Sequence, residues 1–196
     1  MFHDIPDTML ACMRTLESAD AEERRLKVPA PQRLCAVPPE TGRFLAILAA
    51  AAPPGALIEI GTSGGYSTLW LTRAALLRKQ QVQSFEISPA KLAIARDTFA
   101  RAGVNDLVRI TEGDVREFLA DHEPVGFCFM DHDKTQYLEC YERLLSILVK
   151  GGILAIDNIL SHKEVLAPFV NHVMADPRVD AEVIPIGKGV LVARRN

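Results

Sequence analysis

The sequence is poor in features that would mark several common classes of protein. Its four cysteines, Cys12, Cys35, Cys128 and Cys140, show no C-x-x-C spacing, which favours a reducing, cytoplasmic compartment over a disulfide framework. No run approaches the roughly 18 uncharged apolar residues of a membrane span, and acidic residues interrupt the N-terminal stretch where a signal peptide would be apolar. With 22 basic against 25 acidic residues and no basic block, nothing indicates nucleic acid binding. We therefore expect a soluble, cytoplasmic protein with neither membrane nor nucleic acid as a partner.

The length suits one domain. A chain of 196 residues can bury a single core without disulfide or metal support. No internal repeat or low-complexity segment divides it. We predict a single domain over 1–196, with an N-terminal segment over 1–37, helical and then extended, and a core over 38–196.

The central feature is a glycine-rich stretch over residues 57–67, Leu-Ile-Glu-Ile-Gly-Thr-Ser-Gly-Gly-Tyr-Ser. An apolar run broken only by Glu59 predicts a buried strand of a parallel sheet. Gly61, Gly64 and Gly65 predict a tight turn, and apolar residues at helical spacing over 66–77 predict a helix with one face on the sheet. This arrangement is typical of nucleotide-binding α/β domains, although glycines are also common in ordinary βα turns.

The rest of the chain alternates between short strands and helices, which predicts a mainly parallel sheet with helices on both faces. Further strands are predicted at 82–87, 107–110, 125–130 and 153–156, and two more flank Gly187-Lys188-Gly189. Helices are predicted over 8–25, from near 38 to 52, and over 66–77, 89–102, 115–119, 137–148 and 165–173, with Gly151-Gly152 closing the helix that starts at 137.

Five successive predicted strands are followed by glycine or polar residues, and ligands bind beyond the carboxyl ends of parallel strands. We therefore expect these residues at one edge of the sheet: Gly61, Glu86, Asp114, Asp131 with Lys134, and Asp157 with Asn158.

Each group has a local chemistry. Glu86 is either a carboxylate for vicinal ribose hydroxyls or a solvated acid, and Asp114 is expected to cap the next helix. Asp131, Asp157 and Asn158 offer hard oxygen ligands of the kind that Mg²⁺ prefers, and without a cation the two carboxylates would repel each other.

Lys134 lies three residues after Asp131, at the start of a predicted helix. A cation is slightly unfavourable at that end of a helix, which suggests a functional purpose for the side chain. A nearby divalent cation could lower its pKa towards that of a usable base.

Three motifs resemble those of the cation-dependent S-adenosylmethionine O-methyltransferases, which include catechol and caffeoyl-CoA O-methyltransferases. They are Glu59-Ile60-Gly61-Thr62-Ser63-Gly64-Gly65-Tyr66-Ser67, Asp131-His132-Asp133-Lys134-x-x-Tyr137 and Gly151-Gly152-x4-Asp157-Asn158. The resemblance implies a Rossmann-like methyltransferase fold, with a mainly parallel seven-stranded sheet, helices on both faces and a C-terminal antiparallel strand. It also implies divalent-cation-assisted methyl transfer to a hydroxyl of a small, ortho-dihydroxy aromatic substrate.

The same resemblance implies roles for individual residues. Glu59, Gly61, Ser67, Glu86, Val115 and Asp131 would line the cofactor, with Glu86 holding the ribose and Val115 lying near the adenine. Asp131, Asp157 and Asn158 would bind Mg²⁺ or another divalent cation. Lys134 would be the general base, with Asp131 as the second catalytic residue.

The sequence departs from the family pattern at some positions. His132 stands where the family usually has alanine, and it would be a ligand, a base or, as neighbouring side chains alternate, a structural residue. Gly64 replaces a larger residue, and His162 is either a rim residue or solvated. An NAD-dependent oxidoreductase remains an alternative, although the turn does not follow G-x-G-x-x-G. A non-catalytic S-adenosylmethionine-binding protein is another.

The predicted N-terminal helix has an apolar face formed by Met9, Cys12, Met13 and Leu16. This face has no evident place in the layers of the predicted sheet, and an exposed apolar patch usually has a partner. We therefore predict a homodimer formed through this segment, or else a helix that folds over its own active site.

Overall fold

A computed structural model describes residues 2–29, 32–119 and 122–196. The order of its elements follows the predicted alternation. The strands are β1 (Ala56–Ile60), β2 (Val82–Glu86), β3 (Val108–Glu112), β4 (Val125–Met130), β5 (Leu148–Ile156), β6 (Val179–Ile184) and β7 (Val190–Arg195). The helices are α1 (Asp7–Arg25), α2 (Pro39–Ala51), α3 (Tyr66–Arg78), α4 (Pro89–Ala102), α5 (Tyr137–Ile147) and α6 (Lys163–Ala175).

The strands form a seven-stranded sheet in the order β3-β2-β1-β4-β5-β7-β6. The first five strands of that order pair in parallel, and β7 pairs antiparallel with both β5 and β6. The predicted fold is therefore confirmed. After β3 the chain crosses to the other side of β1 to form β4, so the order reverses between β1 and β4, which is where such sheets bind ligands.

Alternating side chains of the central strands supply two separate cores. Leu57 and Phe127 pack on the side of α1 to α4, whereas Ile58 and Cys128 pack on the side of α5 and α6. Because helices cover both faces, every residue of β1 is buried. This explains why β1 reads as a continuous apolar run in the sequence, with Glu59 as its one charged residue.

The sequence predicted that one face of α3 is buried, but nearly the whole helix is. All residues from Tyr66 to Ala75 are buried, and only near the C-terminal end does Leu77 become exposed. Helix α2 packs beside α3 and also contacts β4 and β5, and a Cβ added at Gly42 of α2 would lie 2.2 Å from the Trp70 ring. Glycine at this position therefore allows the two helices to approach closely.

The apolar face of α1 is buried within this chain, so the expectation that it needs a second copy is wrong. The exposed fractions of Met9, Cys12, Met13 and Leu16 are 0, 5, 2 and 6%. They join the core on the side of α3 and α4. The alternative, a helix folded over its own cavity, is confirmed below.

The boundary between α5 and β5 also differs from the prediction. The helix ends at Ile147, and Gly151-Gly152 lies inside β5. Val125 of β4 pairs with Leu148, and two residues later Phe127 pairs with Ile153, so β5 bulges around the glycines. Gly151 has φ +78°, which glycine adopts without strain.

Two further boundaries shift slightly. β3 runs from Val108 to Glu112, and the helix predicted over 115–119 is a 3₁₀ turn, Val115–Glu117. None of the helices within the described ranges is long and apolar enough to cross a membrane.

Candidate active site

The glycine turn after β1 brings backbone close to backbone at the carboxyl edge of the sheet. Gly61 has φ +99° and donates its N–H to the carbonyl of Phe85 at 2.9 Å. A Cβ at this position would lie 2.1 Å from the carbonyl oxygen of Asp131. At Gly65, φ is +89° and an added Cβ would lie 2.5 Å from the Phe99 ring. Both positions therefore require glycine.

Glu86, at the end of β2, holds the glycine turn from the neighbouring strand. Its Oε2 accepts the Ser63 N–H at 2.8 Å, and its Oε1 accepts the N–H groups of Ile87 and Ser88 at 3.0 and 2.9 Å. Glu86 as a residue is only 8% exposed, yet it lines the cavity described below. It therefore joins the turn to the β2–α4 connection and keeps lone pairs for a further donor.

Glu59 lies beneath the turn and is not among the cavity-lining residues, which corrects the expectation that it lines the cofactor site. The period of two along β1 turns it towards α3, where it is 0% exposed. Its Oε2 accepts hydroxyl hydrogen bonds from Thr68 at 2.5 Å and Ser84 at 2.6 Å, while Oε1 has no partner. Burial raises the pKa of Glu59 to about 7, and the nearby hydroxyl groups of Ser67, Ser84 and Thr68 oppose the rise.

A cavity of about 860 Å³ opens over the carboxyl ends of β1, β2, β4 and β5. The predicted site residues on its wall are Gly61, Ser67, Glu86, Asp114, Val115, Asp131, Lys134 and Asn158, together with His132 and His162. Glu59 and Asp157 lie behind this wall, both with no exposed surface. Leu16 of α1 also lines the cavity, so the N-terminal helix does fold over it.

Asp131, Asp157 and Asn158 meet at the adjacent ends of β4 and β5. The side-chain amide of Asn158 donates to Asp131 Oδ1 at 2.6 Å and contacts Asp157 Oδ2 at 3.4 Å. Asn158 has φ +70°, a conformation that asparagine tolerates better than most residues. The three predicted cation ligands are thus brought together.

The electrostatics of this cluster fit a divalent cation. Asp157 Oδ1 is buried without a hydrogen-bond partner. Burial, followed by the charge of Asp131, raises the pKa of Asp157 to about 7. Two carboxylates are hard oxygen ligands, and a cation between them would offset both the desolvation and the repulsion. The Asn158 amide, whose nitrogen faces the carboxylates here, would join them through its oxygen after rotation of the amide.

Lys134 is held on the cavity wall by two hydrogen bonds. Its Nζ donates to Asp131 Oδ1 and to the carbonyl oxygen of His132, both at 2.9 Å. It begins a 3₁₀ turn that Asp133 caps by accepting the Thr135 N–H at 3.0 Å. The turn therefore directs the amine towards the cluster that contains Asp131.

His132 packs against Tyr137, with ring centroids 5.1 Å apart. Neither ring nitrogen has a hydrogen-bond partner. Burial, with a further contribution from the charge of Lys134, lowers the pKa of His132 to about 4. The ring is therefore neutral near pH 7 and packs as an aromatic group.

Asp114 has the capping role that was expected of it. Its Oδ1 accepts the Arg116 N–H at 3.0 Å at the start of the 3₁₀ turn, and the Arg116 guanidinium pairs with the same carboxylate at 2.5 Å. These hydrogen bonds lower the pKa of Asp114 to about 2.

A model of the O-methyltransferase family matches residues 15–196. The chain belongs to the O-methyltransferase family.

Individual relatives agree with this assignment. The chain is 32% identical over 134 residues to the catechol O-methyltransferase of Mycobacterium tuberculosis, an alignment that covers 67% of this chain and 60% of that one. It is 27% identical over 199 residues to the caffeoyl-CoA O-methyltransferase of Medicago sativa, covering 89% of this chain and 80% of that one. The Bacillus cereus O-methyltransferase, solved in complex with SAH, is 27% identical with a TM-score of 0.78, covering 95% of this chain and 91% of that one.

Sequence reasoning missed the part of this O-methyltransferase site that the N-terminal segment supplies. The strap, defined here as residues 32–37, crosses the glycine turn. Ser63 Oγ donates to the Leu34 carbonyl at 2.7 Å, and the Leu34 N–H donates to Glu23 Oε2 at 2.8 Å. Arg33 and Val37 line the cavity. No local sequence pattern marks these contacts, because they join residues far apart in the chain.

Proposed function

We propose that this O-methyltransferase moves a methyl group from S-adenosylmethionine to a hydroxyl of a small, ortho-dihydroxy aromatic substrate, assisted by a divalent cation such as Mg²⁺. The observation that carries the proposal is the oxygen cluster of Asp131, Asp157 and Asn158, with one buried and unpartnered carboxylate oxygen. It lies beside Lys134 in a cavity that also contains the glycine turn and Glu86.

The cofactor would lie along the glycine turn. Glu86 would accept hydrogen bonds from the ribose hydroxyls, and Val115 would lie near the adenine, while Gly61, Ser67 and Asp131 would line the methionine end. Glu59 would support the turn from beneath without touching the cofactor. When bound, the cofactor supplies a sulfonium methyl group as the electrophile, and the SAH complex of the Bacillus cereus relative supports this assignment.

The cation would be held by Asp131, Asp157 and Asn158. When bound, it would supply Lewis acidity that favours the ionised form of a substrate hydroxyl. This chemistry is the reason for expecting two adjacent oxygens on the aromatic ring. The buried side chain of Asp157 keeps one face of the cluster away from water.

Lys134 would accept the hydroxyl proton. Its Nζ is fixed by Asp131 and by the His132 carbonyl, so an unprotonated amine there presents its lone pair at a defined place. As the substrate oxygen gains the methyl group, the proton stays on Lys134 Nζ. Asp131 then stabilises the resulting ammonium ion at 2.9 Å.

A methyl-transfer assay over a panel of ortho-dihydroxy aromatics, with Mg²⁺ and with a chelator, tests the proposal. We expect turnover with Mg²⁺, loss of turnover in chelator, and recovery when the metal is restored. Phenols with one hydroxyl and no adjacent oxygen should react poorly. Full activity in chelator contradicts the role of the cation, and cofactor binding without turnover of any substrate favours the non-catalytic alternative.

The proposal also includes a cellular location and an oligomeric state. Cys12, Cys128 and Cys140 are buried thiols that form no disulfide, which supports a cytoplasmic location. A homodimer stays a prediction. It would need a surface other than the apolar face of α1, which this chain buries itself.

A further inference from the structure

The cavity wall carries a lysine, Lys188, whose side chain takes no part in the proposed reaction. Lys188 lies in the β6–β7 turn and lines the same cavity as Asp131 and Asn158. Within the described ranges its ammonium group forms no hydrogen bond or ion pair. Its backbone is hydrogen-bonded to the loop that follows Asn158, so Lys188 lies beside the part of the cavity where the substrate would bind.

The backbone of Lys188 is fixed to the loop that carries Asn158. Its carbonyl accepts the N–H groups of Leu160 and Ser161 at 3.0 and 3.1 Å, and the Gly189 carbonyl accepts the Ile159 N–H at 3.0 Å. The flanking glycines both have positive φ, and a Cβ at Gly187 would lie 3.2 Å from Pro38. The half-buried lysine is therefore held between the end of β5 and the start of α2.

Several other charged groups of the cavity are already engaged. The guanidinium of Arg24 pairs with Asp20 at 2.8 Å, and Glu86 and Asp114 accept the hydrogen bonds described above. Arg33 of the strap and Lys91 of α4 also line the cavity without an ion pair in the part of the chain that the structure describes, and Arg33 Nε is buried without a hydrogen-bond partner. The uncommitted charge of the cavity wall is therefore positive.

We propose that Lys188 binds an anionic group of the substrate, so that the preferred substrates are ortho-dihydroxy aromatics that carry a carboxylate. This inference rests on the proposed function, because it names the substrate class of the same site. A lysine ammonium gives a charge-assisted hydrogen bond to a carboxylate, and such a bond is lost when the acid is replaced by an uncharged amide. Lys188 is thus a specificity-determining residue.

A different role for Lys188 would be to offset the negative charge of Asp157. In that case its removal would disturb the cation cluster and slow every substrate by the same factor. The ratio of rates between a charged and an uncharged substrate separates the two roles, because an effect on the cluster cancels in the ratio.

The test compares kcat/KM for 3,4-dihydroxybenzoate with that for 3,4-dihydroxybenzamide. We expect the wild-type protein to prefer the benzoate at least tenfold, and Lys188→Met to reduce this preference at least tenfold. Lys188→Arg should retain most of it. Lys163→Met is the matched control, since Lys163 is exposed at the start of α6 and does not line the cavity. An unchanged ratio in Lys188→Met overturns the inference.

A binding measurement keeps the inference testable if no catechol is methylated. Calorimetric titration of the two compounds into the protein saturated with S-adenosylhomocysteine should show tighter binding of the benzoate, and Lys188→Met should remove the difference. Lys188→Glu should instead favour 3,4-dihydroxybenzylamine. If the protein binds the benzoate more tightly but methylates neither compound, the proposed function is contradicted and the inference about Lys188 stands. If the wild-type protein binds benzoate and benzamide equally, the inference is overturned.

Discussion

At Glu59 two effects act on the ionised carboxylate. Burial destabilises it, and hydrogen bonds from neighbouring hydroxyl groups stabilise it. The ordinary pKa of 4.5 rises to about 7 because desolvation outweighs the effect of the nearby hydroxyl groups of Ser67, Ser84 and Thr68. Between these two values the folded chain keeps a proton that the unfolded chain releases. The stability due to this group is therefore present at low pH and decreases as pH rises through that window.

Replacing Glu59 with glutamine should remove this dependence on pH. Relative to Glu59→Gln, the wild-type protein should lose up to about 3 kcal/mol of unfolding free energy between pH 4.5 and 7, because each pKa unit corresponds to about 1.4 kcal/mol. Urea denaturation of the ligand-free protein across this range measures the difference. Glu164→Gln, at an exposed position of α6, should keep the wild-type slope. Parallel curves for wild type and Glu59→Gln would contradict the buried, protonated carboxyl.

Glu86 is expected to act in cofactor binding as well as in local structure. Glu86→Ala removes the acceptor for three backbone N–H groups and the proposed acceptor for the ribose. Hydrogen bonds to a charged group contribute about 1.5–3 kcal/mol, so affinity for S-adenosylhomocysteine should fall by about tenfold to a hundredfold. Calorimetry measures the change, and circular dichroism checks the fold. Glu112→Ala is the control, since Glu112 pairs with Glu86 across β2 and β3 but is exposed. Unchanged affinity in Glu86→Ala would remove this residue from the site.

At the scale of elements, the strap is hydrogen-bonded to the glycine turn and packs directly on it. The Leu34 carbonyl accepts from Ser63, and a Cβ added at Gly64 would lie 3.0 Å from a Leu34 methyl and 3.1 Å from a Leu16 methyl. Glycine at position 64 therefore allows the N-terminal segment to pack directly on the cofactor turn. The departure of Gly64 from the family pattern has a structural reason in this chain.

Gly64→Val should weaken cofactor binding by displacing the strap. We expect affinity for S-adenosylhomocysteine to fall about tenfold, since overpacking typically costs about 1–3 kcal/mol. Leu34→Ala makes room for the new side chain, so the double variant should recover part of the affinity. Calorimetric titration of the two single variants and the double variant gives the coupling between the positions. Additive losses in the double variant would mean that the strap and the turn do not act together.

The elements could be predicted from the sequence where periodicity and turn residues agreed. Ser88 caps α4 and Gly103 ends it in the left-handed conformation, as expected. The end of α5 could not be predicted, because Gly151-Gly152 is a common helix stop and here forms a bulge that depends on the register with β4. The buried face of α1 depends on contacts with α3 and α4, which no local pattern contains.

At the scale of the whole molecule, the topology brings the candidate site together. The carboxyl ends of parallel strands share one edge, so the prediction that Gly61, Glu86, Asp131 and Asn158 meet there could be made without coordinates. Lys188 was outside that prediction, because it reaches the site through an antiparallel turn. Residues of the strap were missed for a different reason, since their position depends on tertiary packing.

The cation cluster should influence the stability of the whole chain. Without a cation, Asp157 and Asp131 place two carboxyl groups beside each other, one of them with a buried oxygen that lacks a partner. Asp157→Asn should relieve this repulsion and raise the unfolding free energy of the metal-free protein by about 0.5–2 kcal/mol at pH 8. For a chain of this size, the melting temperature should rise by about 2–4 °C per kcal/mol.

Mg²⁺ should stabilise the wild-type protein, in contrast to Asp157→Asn, which should gain nothing from it. A ligand that binds only the folded state stabilises it by mass action, so Mg²⁺ should raise the melting temperature of the wild-type protein but not that of Asp157→Asn. Calorimetric scans at pH 8, in chelator and in Mg²⁺, measure both effects. Asp180→Asn, an exposed change of the same kind on β6, should follow the wild type. If Asp157→Asn is less stable than the wild type in chelator and Mg²⁺ shifts neither protein, the acids serve folding and do not bind a cation.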